Sequence, residues 1–297
     1  MNNLSIAVIS GGSSSEKEIS IQSGNNIQGS LIDNGINSKL IDFSEVVDLG
    51  DLKIFEKVFI AMHGVEGESG NLQSSLETLG IEFTGSRALG CQNTWNKKRF
   101  KDLLAKSNLP TPKSLVADDI LGLAFPKGYF KNNHFFLKPV AEGSSLDTFE
   151  ITSPEDFISA KKLIKNSSNS FILEEAIKHK ELTVAILGEE VLPVLEIESP
   201  NSFYDYHAKY ISDKTKIFEA NLTDSQTSEI KELAKMAFNI TGCSGWGRVD
   251  ILQRQDGAFF IIEINTVPGM TSHSLFPKAA SLAGITFKEL VKKIIDL

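Results

Sequence analysis

Residues 248–265 read RVDILQRQDGAFFIIEIN. Asp256-Gly257, set between two apolar runs, predicts a β-hairpin closed by a two-residue turn with positive φ at both positions. Gln255 then faces Ala258, Asp250 faces Glu263 and Arg248 faces Asn265. Side chains alternate faces along a strand, so these last four groups project from one side of the sheet. Two directly opposed carboxylates repel, and the pair needs a positive occupant. Asp250, Glu263 and Asn265 offer only hard oxygen donors, a set that suits Mg²⁺ shared with phosphate oxygens. Arg248 beside them is placed to stabilise an oxyanion. The other reading is a surface hairpin whose carboxylates splay into water, with Arg248 neutralising one. The AFFII run argues for burial, where an unpaired charge is very costly.

The 297 residues can bury a large core and suggest two or three domains. A net charge of -8 argues against nucleic acid or an anionic membrane surface as the main partner. Lys97-Lys98-Arg99-Lys101 is the nearest approach to a basic cluster. Cys91 and Cys243 lie far apart and match no CxxC pattern, which suggests a reducing compartment. The opening MNNLSIAVISGG has no basic region and too short an apolar run for a signal peptide. No stretch approaches the roughly 18 apolar residues of a membrane span. A cytoplasmic protein is expected.

The first third alternates strand and helix. Leu4–Ser10, Ile36–Phe43, Lys57–Met62 and Ile81–Thr84 read as strands, and segments from Glu16 and Asn71 as helices ended by Asn34-Gly35 and Gly80. That order predicts a parallel α/β sheet. From about Trp95 a basic helix runs into LPTP, and strands at His134–Val140 and Ser170–Glu174 flank a helix from Pro154. The last third holds two strands folded about Gly188-Glu189, a helix near Thr223–Thr241, the quoted hairpin and a helix from Thr286. The expected class is α/β followed by α+β.

Four further segments carry candidate chemistry. Lys138 ends the strand HFFLK just before a Gly/Ser loop, where a lysine and backbone N–H groups can hold phosphate; a flexible surface loop is the plainer alternative. Ser13 with Glu16, or Ser15 with Glu18, can form a capping box, although Glu16 at a helix start could also hold an ammonium. His63 opens the glycine-rich HGVEGESG at the carboxyl end of a parallel strand, where such folds bind ligands. SFYDYHAKY (202–210) is aperiodic, as lids are, and the Gly269 N–H in the loop after the hairpin can meet a developing negative charge. Neither GxGxxG nor GxxxxGK[ST] occurs.

Together these segments resemble the D-alanine–D-alanine ligases of the ATP-grasp superfamily, nearly from end to end. GGSSSEKEIS (11–20), HGVEGESGNLQ (63–73), FTGS (83–86), KPVAEGSS (138–145), FYDYHAKY (203–210), GWGRVD (245–250) and EINTVPGMTSHS (263–274) carry the resemblance. It implies an N-terminal substrate-binding α/β domain (1–94) and two α+β subdomains (95–180 and 181–297) enclosing ATP. It further implies two Mg²⁺ on Asp250, Glu263 and Asn265, with Mn²⁺ able to take their place, and ATP on Lys97, Lys138, Glu174 and Glu181. Glu16 takes the first D-alanine's ammonium and is linked through Ser144 to Tyr210, with His63 in the same subsite. Arg248 and Gly269 stabilise the tetrahedral oxyanion, Lys209 and Ser274 bind the second carboxylate, and Leu275 meets the methyl group. The implied partners are D-alanine and ATP, in a homodimer.

The chain departs from the family pattern in the phosphate loop, where Gly143-Ser-Ser-Leu-Asp147 lacks the final glycine of GSS(V/I)G. Glu175 stands where a lysine is common, and Ser69 and Val267 replace commoner residues. D-Alanyl-D-lactate ligases are the closest rival; Tyr210 disfavours them, because they typically carry a histidine there.

Overall fold

A computed structural model describes residues 5–117, 119–143, 147–199 and 215–297. Ser144, Lys209, Tyr210 and the whole 202–210 segment lie outside the described residues.

Strand β1 (Ser5–Ser10) is buried at five of its six residues, as a strand covered on both faces must be. It lies between β2 (Asn37–Asp42) and β3 (Lys57–Ile60), both parallel to it, as the βα alternation predicts. The expected strand at 81–84 shrinks to a single parallel bridge between Val58 and Phe83. Helix α1 (Lys17–Asp33) joins β1 to β2, and Asn34 and left-handed Gly35 end it. The short α2 (Val65–Glu68) and α3 (Asn71–Leu79) follow β3, and Gly80 caps α3 with φ 68°. The capping box expected between Ser13 and Glu16 does not form. Glu16 is the N-cap residue and makes no side-chain cap bond. Ser13 instead bonds Glu66, and Ser14 bonds the His63 carbonyl.

Helices α4 (Ala88–Trp95) and α5 (Lys97–Lys106) lead to an antiparallel sheet ordered β4-β7-β5-β6. Its strands are β4 (Ser114–Ala117), β5 (Phe135–Pro139), β6 (Phe149–Ile151) and β7 (Phe171–Glu175), with α6 (Pro154–Leu163) before β7. The third sheet runs β11-β10-β8-β12-β13, with β9 on β8. It comprises β8 (His179–Leu187), β9 (Glu190–Val191), β10 (Leu195–Glu198), β11 (Lys216–Glu219), β12 (Trp246–Arg254) and β13 (Phe259–Asn265). Helix α7 (Asp224–Ile240) packs on this sheet through Ile230, Ala234, Ala237 and Phe238.

The end of the chain closes onto its beginning. Helices α8 (Leu275–Leu282) and α9 (Phe287–Asp296) share one core with Ile6, Val8, Ile27 and Leu31. Leu290, Val291, Ile294 and Ile295 form the single apolar stripe of α9 that makes this contact. Trp246 bridges the two regions, its ring 6.0 Å from Phe59 and 5.1 Å from Phe276. No described helix is long and apolar enough to cross a membrane.

The hairpin corrects its expected turn. Arg254 N donates to Ala258 O, Gly257 N donates to Arg254 O, and only Gly257 in the loop has positive φ (91°). The loop therefore holds three residues, Gln255 to Gly257, in the pattern that ends on a left-handed glycine. Ile251 consequently pairs with Ile261 and Gln253 with Phe259, one residue from expectation. A register shift between Asp250 and Ile251 then restores the pairs Asp250–Glu263 and Arg248–Asn265. The two offsets cancel. The core explains the second: Ile261 and Ile264 both pack with Val249 and Ile251, and residues three apart share a strand face only across a bulge.

Candidate active site

A cavity of about 140 Å³ lies where the three sheets meet. The first region contributes Glu16, His63 and Glu68, and the middle one Lys97 and Gly143. The last contributes Arg248, Glu263, Asn265, Gly269, Ser274 and Leu275. Of the expected site residues, nine converge here.

The hairpin supplies the floor. Arg248 donates from Nε to Asp250 Oδ1 (2.8 Å) and from Nη2 to Asp250 Oδ2 (2.7 Å), a two-point grip on a buried carboxylate. Thr183 on β8 adds a hydroxyl to Oδ1 at 2.6 Å. Asp250 is therefore neutralised from within, the role the plainer reading gave Arg248. Glu263, directly opposite, has no ion pair among the described residues. Asn265 Oδ1 accepts the Val267 N–H at 3.0 Å, which holds the amide at the cavity edge.

His63 is pinned by both nitrogens. A carbonyl only accepts, so Nδ1 carries the proton to Val267 O (2.9 Å), and Nε2 accepts from Ser23 Oγ (3.2 Å). Burial lowers its pKa despite the nearby Glu16 carboxylate, so the ring is neutral. Gly269 N donates to no group among the described residues, and a methyl at Gly269 would stand 2.7 Å from Ser274 Oγ. Ser274, the N-cap residue of α8, accepts the Thr271 N–H at 3.0 Å.

The lysines are held differently. Lys97 opens α5 and donates to the Glu142 carbonyl in the loop after β5. Lys138 lies outside the cavity lining and is paired with Glu174, which also pairs with the buried Lys101 at 2.5 Å. Burial opposes the Glu174 carboxylate, but the two ammoniums outweigh it and hold its pKa down to about 2. In the loop between β5 and β6, Asp147 adopts φ 49°. This is the left-handed region, and Asp is among the non-glycine residues that tolerate it.

A second cleft of about 720 Å³ opens between the middle and last sheets, within the size range of nucleotide-scale pockets. Phe136, Glu175, Ile177, Lys180, Glu181 and Phe260 are among its walls. The Ile177 N–H has no acceptor among the described residues. Glu181 is here as expected, while Glu174 is not part of the lining.

Sequence reasoning missed Phe136, Phe260, Lys101 and Glu68. Alternation was a usable signal for Phe136, which shares a strand face with Lys138. No local pattern marks Glu68. It takes the Gly64 N–H at 2.9 Å, and burial, together with repulsion from Glu16 and Glu263, pushes its pKa up to about 8.

Residues 131–296 match the family model described as D-ala D-ala ligase C-terminus. The chain is 39% identical over 298 aligned positions to the D-alanine–D-alanine ligase of Alkalilimnicola ehrlichii, covering 98% of this chain and 93% of that protein. The chain belongs to the D-alanine–D-alanine ligase family. Among solved structures, the family's Bacillus anthracis ligase complexed with ATP superposes with a TM-score of 0.86 at 28% identity, covering 99% of this chain and 96% of that one. The VanG D-Ala:D-Ser ligase of Enterococcus faecalis superposes with a TM-score of 0.87 at 28% identity, over 100% of this chain and 99% of its own. The architecture is thus the ATP-grasp fold of the ligases.

Proposed function

We propose that this chain joins two D-alanines at the expense of ATP, making the dipeptide used in peptidoglycan precursors. One observation carries the reading: Glu16, Arg248, Glu263, Gly269 and Ser274, drawn from opposite ends of the chain, line one small cavity. The larger cleft offers aromatic walls and, at Ile177, an N–H with no acceptor among the described residues, features that suit a purine base and its edge.

Amine attack on a free carboxylate is prohibitively slow at neutral pH, so the first carboxylate must be activated. In this reading Glu16 holds the first D-alanine by its ammonium while the carboxylate oxygen attacks the γ-phosphorus of ATP, giving an acyl phosphate and ADP. Lys97 and Lys138 hold the phosphates. The second D-alanine, its carboxylate on Ser274 and Lys209 and its methyl against Leu275, attacks the acyl carbon with its amine. Arg248 and the Gly269 N–H receive the oxyanion, and its collapse expels inorganic phosphate. Glu263, without an ion pair among the described residues, fits a cation site with Asn265 and Asp250. Two bound Mg²⁺ would supply charge neutralisation at the phosphate oxygens. Glu174 supports the site as the clamp between Lys101 and Lys138.

The test is MgATP turnover with D-alanine, D-serine or D-lactate as second substrate, following ADP release and identifying products by mass. D-Alanyl-D-alanine as the preferred product is expected. A preference for D-serine or D-lactate, or no ADP release with D-alanine, overturns the reading.

A further inference from the structure

Three consecutive N–H groups at the start of the 11–16 loop are each taken by a side chain from a different element. Gly11 N donates to Ser20 Oγ on α1 (2.9 Å), Gly12 N to Asp42 Oδ1 at the end of β2 (3.5 Å), and Ser13 N to Glu66 Oε2 on α2 (2.7 Å). Ser13 also gives its hydroxyl to the other Glu66 oxygen at 2.9 Å. With Gly11 and Gly12 at φ 81° and 88°, the loop is a concave run of donors of the kind that elsewhere receives an anion. Here the chain fills it with its own carboxylates. A methyl at Gly12 would stand 2.1 Å from Glu66 Oε2, so the loop lies directly on that side chain.

The grip continues toward the cavity. Ser14 gives its hydroxyl to the His63 carbonyl at 3.2 Å and accepts the Glu16 N–H at 3.3 Å. A methyl at Gly64 would lie 3.1 Å from Glu16 Oε2. The 63–66 segment is therefore the bed on which residues 13–16 rest. Glu66 does not line the cavity, whereas Glu16 does.

We infer that Glu66 is a positioning residue of the first-amino-acid subsite: by holding Ser13 at both its N–H and its hydroxyl, it sets the loop that presents Glu16 to the substrate ammonium. The inference rests on the reading of Glu16 as the ammonium-binding carboxylate. Both bonds come from one half-buried side chain at the protein surface, so its loss loosens the loop without opening the core.

Glu66→Ala and Glu66→Gln separate positioning from folding. Glutamine keeps an acceptor for the Ser13 N–H, and the serine hydroxyl can turn to accept from its amide. In the full-length enzyme, Glu66→Ala is expected to raise KM for the first D-alanine roughly tenfold, the order that small misplacements cost. KM for ATP stays within about twofold, Glu66→Gln restores the first KM, and amide exchange speeds up in residues 11–16 of the alanine variant. An unchanged first KM in Glu66→Ala, or an equal rise in all KM values, overturns the assignment. Glu16→Gln run in parallel keeps the two claims apart. If it raises the first KM and Glu66→Ala does not, only the role of Glu66 fails. If Glu16→Gln leaves that KM unchanged, the ammonium reading itself fails.

Discussion

Arg248 holds both carboxylate oxygens of Asp250 from two residues away on the same strand, at 2.8 and 2.7 Å. Glu263, which faces Asp250 across the ladder, has no such partner among the described residues. The acidic pair is thus asymmetric. One member is neutralised by the protein, and the other has no ion pair among the described residues.

Glu263→Gln and Asp250→Asn should therefore fail in different ways. If the carboxylate serves a metal and not packing, as proposed, Glu263→Gln is expected to lower kcat at least a hundredfold while Tm moves by a few degrees at most. Asp250→Asn leaves a buried guanidinium half-paired and should cost about 3 kcal/mol in urea unfolding. Near-normal turnover in Glu263→Gln would remove it from the metal site.

With Arg248 as the proposed oxyanion donor, Arg248→Met should reduce kcat about a hundredfold or more. Steady-state kinetics under saturating ATP and D-alanine check this. A variant with full kcat and only a raised KM for ATP assigns the arginine elsewhere.

Glu68 links stability to pH. Its native pKa of about 8 lies above the ordinary 4.5, so between those values the unfolded chain has lost a proton that the native protein keeps. Its contribution to stability must fall as pH rises through that window, by about 1.4 kcal/mol per pH unit, and level off above it. Glu68→Gln removes the dependence, so the variant should gain on the wild type between about pH 5.5 and about pH 7.5, inside that window. A stability difference that does not vary with pH would contradict the assignment.

Glu174 has the opposite sign. Its native pKa of about 2 lies below 4.5, so its contribution is fully present above 4.5 and is lost as pH falls toward 2. Glu174→Gln leaves Lys101 and Lys138 without their shared carboxylate and should cost about 3 kcal/mol or more at neutral pH. Denaturant curves at pH 7 and near pH 3 should show that gap narrowing on acidification. A gap of constant size means the three groups do not act as a unit.

Much of the fold was legible because its signals are local. The parallel β2-β1-β3 order follows from alternating strand and helix with glycine stops. The pairing of Asp250 with Glu263 was also correct, but through two errors of opposite sign: the Asp-Gly turn takes in Gln255, and a bulge near Ile262 returns the register. Turn chemistry suggested the hairpin; only the core, which needs Ile261 and Ile264 on one face, sets where the extra residue goes. The capping box was misread because Ser13 has a better partner 53 residues away.

By itself the amino-acid sequence determined the class of each element, the shared face of the hairpin's polar groups and the family resemblance. All of these rest on short-range periodicity, turn residues and contiguous motifs. Tertiary structure decided which carboxylates are neutralised: Asp250 by Arg248, Glu174 by two lysines, Glu68 by keeping its proton, and Glu263 by none of the described residues. It also decided that Glu16 and Gly269 share a cavity. The physical reason is that a group's charge depends on its burial and on neighbours brought close by chain closure, and neither is encoded in any local stretch.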